Sequence, residues 1–404
     1  MRKVIAFFGV LGMLGAFGVL RAQEGFSFDF HGFVNPHYYA DSRSVVGGRE
    51  DMMLFYPKPI NLDSHGRDIN DGWQANMLAI TARLGLRVKG PDMLGAKTSA
   101  YLEGDFTGAT NATINNLRLR HAYLTLDWGK HSLLAGQYWY AMVVHEIMPM
   151  TNPLNMGAPF HCYARQPQVR YSYRTGNWEA VGVAQWQLDN MSQGLLNGTP
   201  QSSTLFARHS LVPEFTAQLR YRQDRLFVGA AANLKTIQPM VNTTGSAVGQ
   251  HLYSSPTYSL FGSYRFDHVT LKAQTLLNNN LYEGCSLGGY VLVTDVFGHY
   301  LDAYDWHFNT VWLDIEKNHG HWRPGLFMGY AQNMDGTDHA SALERTYTYL
   351  GRGHDLEYLW RVQPRLTYTT QKGLSFTGEA EYTYAGYQQP VGNLRLSLSV
   401  VYAF

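Results

Sequence analysis

The chain has 404 residues and a formal net charge of +1, a balance that gives no electrostatic support to a nucleic-acid partner. Aromatic residues make up 14% of it and charged residues only 16%, against roughly 25% charged in an average soluble domain. Such a chain is too aromatic and too weakly charged to stay disordered, and after its N-terminus it holds no apolar run long enough for a membrane helix. The remaining reading is a membrane β-barrel, in which lipid-facing and water-facing residues alternate along every strand.

The N-terminus has the form of an export signal. Arg2 and Lys3 are basic, Val4 to Leu20 is apolar or glycine throughout, and Ala22–Gln23 offers a cleavage site. The expected division is a signal peptide over 1–22 and a barrel over 23–404. Export makes a disulfide chemically possible, but sequence leaves open whether Cys162 and Cys285 pair. Neither cysteine has zinc-ligand spacing, and no cofactor or metal is expected.

From there on the dominant period is two. Sixteen segments carry it: 26–40, 72–89, 95–107, 115–127, 131–140, 165–175, 177–189, 214–223, 225–238, 257–267, 268–278, 303–315, 322–333, 355–369, 373–385 and 391–404. The fourth and twelfth have the weakest pattern. The last has the clearest: Leu394, Leu396, Leu398, Val400, Tyr402 and Phe404 share one face. Near His121 the alternation slips by one, as a β-bulge requires. Pro36, Pro167, Pro324 and Pro364 each remove a ladder donor, so each is expected at a bulge or a strand end. Short turns such as 128–130, Gly176, Asp224 and Asp267 alternate with long connections such as 41–71, 141–164 and 279–302. That sorting belongs to transmembrane barrels, with short turns in the periplasm, long loops outside and, for an even strand count, both termini on the periplasmic side. The fold class expected is therefore all-β: an antiparallel up-and-down transmembrane barrel of about sixteen strands.

If apolar faces meet lipid, the opposite faces line the lumen. Parity sends Arg83, Arg87, Lys97, Arg118, Arg120, Arg170, Arg174, Arg220, Arg222, Lys235, Arg265, Lys272, Arg361, Arg365 and Arg395 inward, with Glu103, Asp105, Glu179, Glu379 and Glu381. Fifteen basic residues against five acidic ones describe a lumen that favours small anions. A sixteen-stranded barrel is wide enough for an aqueous channel, so size selection needs an inward constriction. The connection 141–164 is the candidate, with His145, Glu146, Met148, Asn152, Asn155 and His161 on it. Its 24 residues can reach about 80 Å when extended, enough to enter the barrel and return. His145–Glu146 opens like a metalloprotease motif, but Pro149 stands where the second histidine belongs, and no catalytic residues are expected. His319–Gly320–His321 reads as a solvated turn.

The segments "LAITARLGLRVKGPDMLGAKTSAYLEGDF", "LRLRHAYLTLDW", "LLAGQYW", "NMGAPFHCYARQPQVRYSY" and "TGNWEAVGVAQWQ" resemble porins of Bacteroidota related to the trimeric DcaP-like porins. The resemblance covers residues 54–189 and the C-terminus. It implies a sixteen-stranded barrel in the outer membrane, a homotrimer, contact with outer-membrane lipid, and passive passage of small-molecule solutes, often anionic. The terminal Phe404 looks like the signal read by the barrel-assembly machinery. One departure is that strand 1 follows the expected signal almost directly, where DcaP-like porins can carry a coiled coil.

Overall fold

The computed structural model describes residues 25–152, 156–245, 248–337, 344–370 and 373–404. The expected signal peptide 1–22 and Asn155 lie outside them. Sixteen antiparallel strands close on themselves. Strand β1 has two halves, Ser27–Val34 and His37–Arg43, and β2 has Asp71–Leu78 and Arg83–Lys89. There follow β3 (Lys97–Asp105), β4 (Arg118–Asp127), β5 (His131–Trp139), β6 (Arg165–Thr175), β7 (Trp178–Gln185), β8 (Glu214–Gln223) and β9 (Leu226–Ile237). The remainder are β10 (Tyr253–Arg265), β11 (Val269–Asn278), β12 (Phe308–Lys317), β13 (Trp322–Asn333), β14 (Tyr358–Thr369), β15 (Leu374–Gly386) and β16 (Val391–Ala403). Each strand pairs with its sequence neighbours, and β1 closes the ring between β2 and β16.

Closure rests on backbone alone at one point. Gly32 and Phe404 exchange both amide hydrogen bonds, at 2.9 and 3.0 Å. A Cβ on Gly32 would stand 2.4 Å from the Arg83 carbonyl oxygen and 2.9 Å from the Phe404 ring, so only glycine lets the last residue lie across the first strand. Just above, β1 breaks at Asn35–Pro36, where proline has no amide to donate. At the same level β2 breaks over 79–82, in a turn closed by the Ala82 amide on Ala79, and buries Ile80 and Thr81.

The alternation of faces follows the period of two. On β16 Leu396 and Leu398 are exposed outward, while Asn393, Arg395, Ser397 and Ser399 are buried inward. The slip near His121 is a bulge: Gly104 faces Leu119 and Glu103 faces His121, which makes Arg120 the extra residue. The adjacent Arg120 and His121 thereby both turn inward, on the same side as Arg118, before the alternation resumes.

Two expectations need correction. The twelfth segment, placed at 303–315, is a barrel strand only over Phe308–Lys317. Tyr300–Trp306 instead joins Gly288–Asp295 and Arg345–Arg352 in a separate three-stranded sheet of the long loops. Both stretches alternate, and period alone does not say which sheet a strand joins. Pro324 and Pro364 also sit inside regular ladders with no bulge. The pairing of β14 with β15 simply lapses at Gln363 and Pro364 and resumes in register at Arg365–Glu379. One missing donor is tolerated when its neighbours hold the strand in place.

The middle of the outer wall tests the membrane assignment directly. Leu260, near the centre of β10, is 62% exposed on the lipid-facing side. Replacing it by Arg is expected to destabilise the barrel by about 2–4 kcal/mol, the cost of a cation at the bilayer midplane. Reversible denaturant unfolding in lipid vesicles measures this, with Leu260→Phe near neutral as the control.

Candidate functional site

The lumen is crossed by the connection between β5 and β6. Its root is closed by the Tyr140 amide on the Ala164 carbonyl, 3.0 Å. From that root it touches the far wall at many points. Lys272 on β11 donates to the Met148 carbonyl at 3.0 Å, and the Asn152 amide meets the Glu379 carboxylate on β15 at 3.1 Å. Asn152 also donates to Ser397 on β16, and Arg361 on β14 donates to the Ala158 carbonyl at 2.7 Å. Phe160 packs against Phe327 on β13, and a Cβ on the neighbouring Gly329 would overlap its ring. His161 is buried, bonded to Gln274 at 2.8 Å and edge-on to Trp312. Glu146 lies 3.1 Å from Arg220 and 3.6 Å from Arg222. His145 is exposed to the lumen, and Met148 is packed.

A second loop folds inward beside it. The hairpin Val45–Gly48/Met53–Pro57 buries Leu54, Phe55 and Tyr56. Its tip, Arg49–Glu50–Asp51, holds three successive residues in the left-handed region, at φ of 59°, 56° and 61°. Each costs about 1–2 kcal/mol, so the tip needs external anchors. Asn111 accepts the Arg49 and Glu50 amides, and Arg395 donates to the Asp51 and Met52 carbonyls.

Between these loops and the wall lies a cavity of about 170 Å³. Four arginines line it, Arg49, Arg118, Arg120 and Arg352, with two carboxylates, Asp105 and Asp189. Met52, Met53, Phe55, Thr81 and Tyr163 complete much of the surface. Arg118 grips Asp105 with two bonds of 3.1 and 3.0 Å, and Arg120 bonds Glu103 and Asp105, both at 2.6 Å. Such two-point contacts fix the guanidinium planes. Arg165 stacks over Trp139, with its carbon 4.2 Å from the ring centre, and donates to the Tyr163 hydroxyl at 2.9 Å.

Most of the parity-assigned residues fall into four groups. Arg83, Arg118 and Arg120, with Glu103 and Asp105, gather at or behind the cavity. Arg220 and Arg222 meet Glu146 and Glu179, Arg174 meets Glu179, and Arg170 stacks on Tyr138 and bonds Gln168. Across the lumen Arg361, Arg365 and Arg395 are buried in ion pairs with Glu381, Asp314 and Asp41. Arg87 pairs with Asp29 near the short-turn end of the barrel, where Lys97 is exposed on the same face as Glu103.

The count of fifteen basic against five acidic residues is therefore too one-sided. Asp29, Asp41, Glu214, Asp314 and Glu316 also face inward, and the loops add Glu146, Asp189 and Glu283. Strand ends and the weakly patterned twelfth segment hid the first five, and loop residues have no parity to read. The same blindness missed Arg49, Tyr163, Arg165 and Arg352 at the cavity. Arg165 has the wrong parity for the lumen but stands at the very start of β6, where the chain leaves the loop. Cys162 and Cys285 are both free thiols.

Arg361 joins both inward loops to the wall, through Ala158, Leu54, Phe55 and Glu381. Replacing it by Met is expected to cost about 3–5 kcal/mol, since Glu381 is left buried without its ion-pair partner, with only the neutral donors Gln363 and Thr383. Released loops should show as noisier and larger single-channel steps, alongside a lower unfolding midpoint.

No protein-family model matches this chain, and no curated protein matches it in sequence. Solved structures do match in fold. The outer membrane channel DcaP of Acinetobacter baumannii is similar at a TM-score of 0.67 and 18% identity, over 95% of this chain and 99% of that one. An anion-selective porin from Comamonas acidovorans matches at 0.55 and 12%, over 94% and 100%. The trimer form of OmpT, an outer membrane protein of Vibrio cholerae, matches at 0.54 and 10%, over 94% and 100%. This chain thus has the sixteen-stranded fold of outer-membrane porins, and the outer membrane is where such a barrel resides.

Proposed function

We propose that this protein is an outer-membrane porin that lets small hydrophilic solutes, preferentially anions, diffuse passively through its lumen. One observation carries the preference: the four arginines against two carboxylates around the cavity beside the inward loop. A guanidinium is always charged, presents several donors in a plane and is weakly hydrated, so it replaces an anion's water shell at low cost. Fixed positive charge in a narrow passage raises the local anion concentration and repels cations. In this reading the connection around 141–164 sets the size limit, because it spans from its root at β5 and β6 to β16. Solutes move down their gradient, with no cofactor and no chemistry on the solute.

The surroundings fit that role. Outward leucines, valines and aromatics face the acyl chains of outer-membrane lipid. A homotrimer is the assembly we infer, in line with the trimer form described for a protein of the same fold. The final strand, ending in Phe404 across β1, is the element we assign to recognition by the barrel-assembly machinery, since it must pair last to close the ring. The resemblance to Bacteroidota porins of the DcaP-like group agrees with this reading and is part of the proposal.

Reversal potentials under a KCl gradient in a planar bilayer test it. The refolded protein is expected to conduct in steps and to prefer chloride. Arg49→Ser, at a side chain whose Nε has no acceptor among the described residues, should lower the chloride preference without unfolding the barrel. A correctly folded barrel that does not conduct, or one that prefers potassium, would overturn the proposal.

A further inference from the structure

Tyr163 stands among charges that do not balance. It lies on the inward loop, and its hydroxyl accepts from Arg165 Nη2 at 2.9 Å, with the Arg165 carbon 5.0 Å from its ring centre. The groups facing it come from every neighbouring element. Arg83 comes from β2, Glu103 and Asp105 from β3, and Arg118 and Arg120 from β4. Arg165 opens β6, and Arg49 is the tip of the first loop. Asp189 lies in the loop after β7, Cys285 in the loop after β11, and Cys162 is the chain neighbour. His121 lies beyond Trp139, 5.2 Å from it. Arg352, from the sheet of the long loops, lines the same cavity, so six arginines against three carboxylates leave three positive charges unmatched.

The hydrogen bonding shows the same excess. Arg49 Nε, Arg83 Nε and Nη2, Arg120 Nη2, and Arg165 Nε and Nη1 are buried with no acceptor among the described residues. Buried donors of this kind draw in negative charge, because an unpaired guanidinium N–H in a protein interior is costly. Arg83 Nε and Arg165 Nη1 only approach carboxylates, Glu103 at 3.7 Å and Asp189 at 3.6 Å. Beside these donors the Tyr163 hydroxyl, already bonded to Arg165 Nη2, is an oxygen that can acquire a charge.

Resting on the porin reading above, we propose that Tyr163 is the titratable counter-ion of this passage. Its hydroxyl releases a proton to lumen water, and the phenolate stays among the arginines as a tethered anion. The charge met by a diffusing anion is then set by the protonation of one side chain. The electrostatics agree. Burial alone would push the phenol up, but Arg165, Arg120 and Arg118 outweigh it and bring it down to about 7. The sign follows. Below that value the phenol is neutral, three arginine charges are unmatched and anion preference is strongest. Above it the phenolate matches one of them and the preference weakens.

The test uses the full refolded chain. Near-ultraviolet difference absorbance, followed through neutral pH, should show one phenolate out of 27 tyrosines forming near 7, absent in Tyr163→Phe. Arg165→Gln should move that transition upward, which assigns it without relying on the first variant folding. In planar bilayers the chloride preference of the natural chain should fall across the same pH range, while Tyr163→Phe keeps its low-pH preference throughout. Tyrosine absorbance that changes only in the ordinary range near 10 overturns the proposal. So does a phenolate near 7 that leaves chloride preference constant. A folded barrel without conductance defeats the porin reading instead, and the absorbance then still decides the ionisation of Tyr163.

Discussion

Everything in this molecule depends on a requirement of lipid: no backbone amide or carbonyl within the hydrocarbon can be left without a partner. A sheet meets that requirement only by closing, and closure fixes the rest. It forces β1 to bridge β2 and β16 and brings Phe404 across Gly32. It also divides every strand into a lipid face and a lumen face. The inward residues then find themselves crowded by one another, which is why so many arginines and carboxylates are buried here in a protein of nearly neutral charge.

Those buried charges do two kinds of work, and the structure separates them. On one wall Arg361, Arg365 and Arg395 are matched by carboxylates, and Arg361 and Arg395 spend their remaining donors on loop carbonyls. A guanidinium suits this task because it can serve a carboxylate and two backbone oxygens at once. The result is two loops fastened inside the barrel. On the opposite side, around Tyr163, the matching is incomplete, and donors remain without acceptors among the described residues. In the proposed anion pathway such donors have a use, since a fully neutralised wall would offer a passing anion nothing in place of its water.

Strain at the hairpin tip belongs to the same design. Three left-handed residues in succession are costly, and Asn111 and Arg395 hold them in place. The effect is to present Arg49 at the cavity from a loop rather than from a strand. Sites built partly from loops can vary in chemistry while the barrel stays unchanged.

Sequence by itself determined the class of fold, the number of strands and, for most of them, the face that meets lipid, because each is a period-two property that a strand carries locally. It also marked the bulge near His121, since a slip in alternation is visible in one dimension. It identified the long connection between β5 and β6 as singular by length and composition. Only the tertiary structure decided which charges cancel. Asp41 finds Arg395 across more than three hundred residues, Asp314 finds Arg365, and Asp189 reaches Arg118 and Arg165 from a loop. Ion pairing depends on distance in space, and parity records only direction. For the same reason Arg49, Tyr163 and Arg165 could not be seen as a group until two loops had folded inward against β2, β3 and β4.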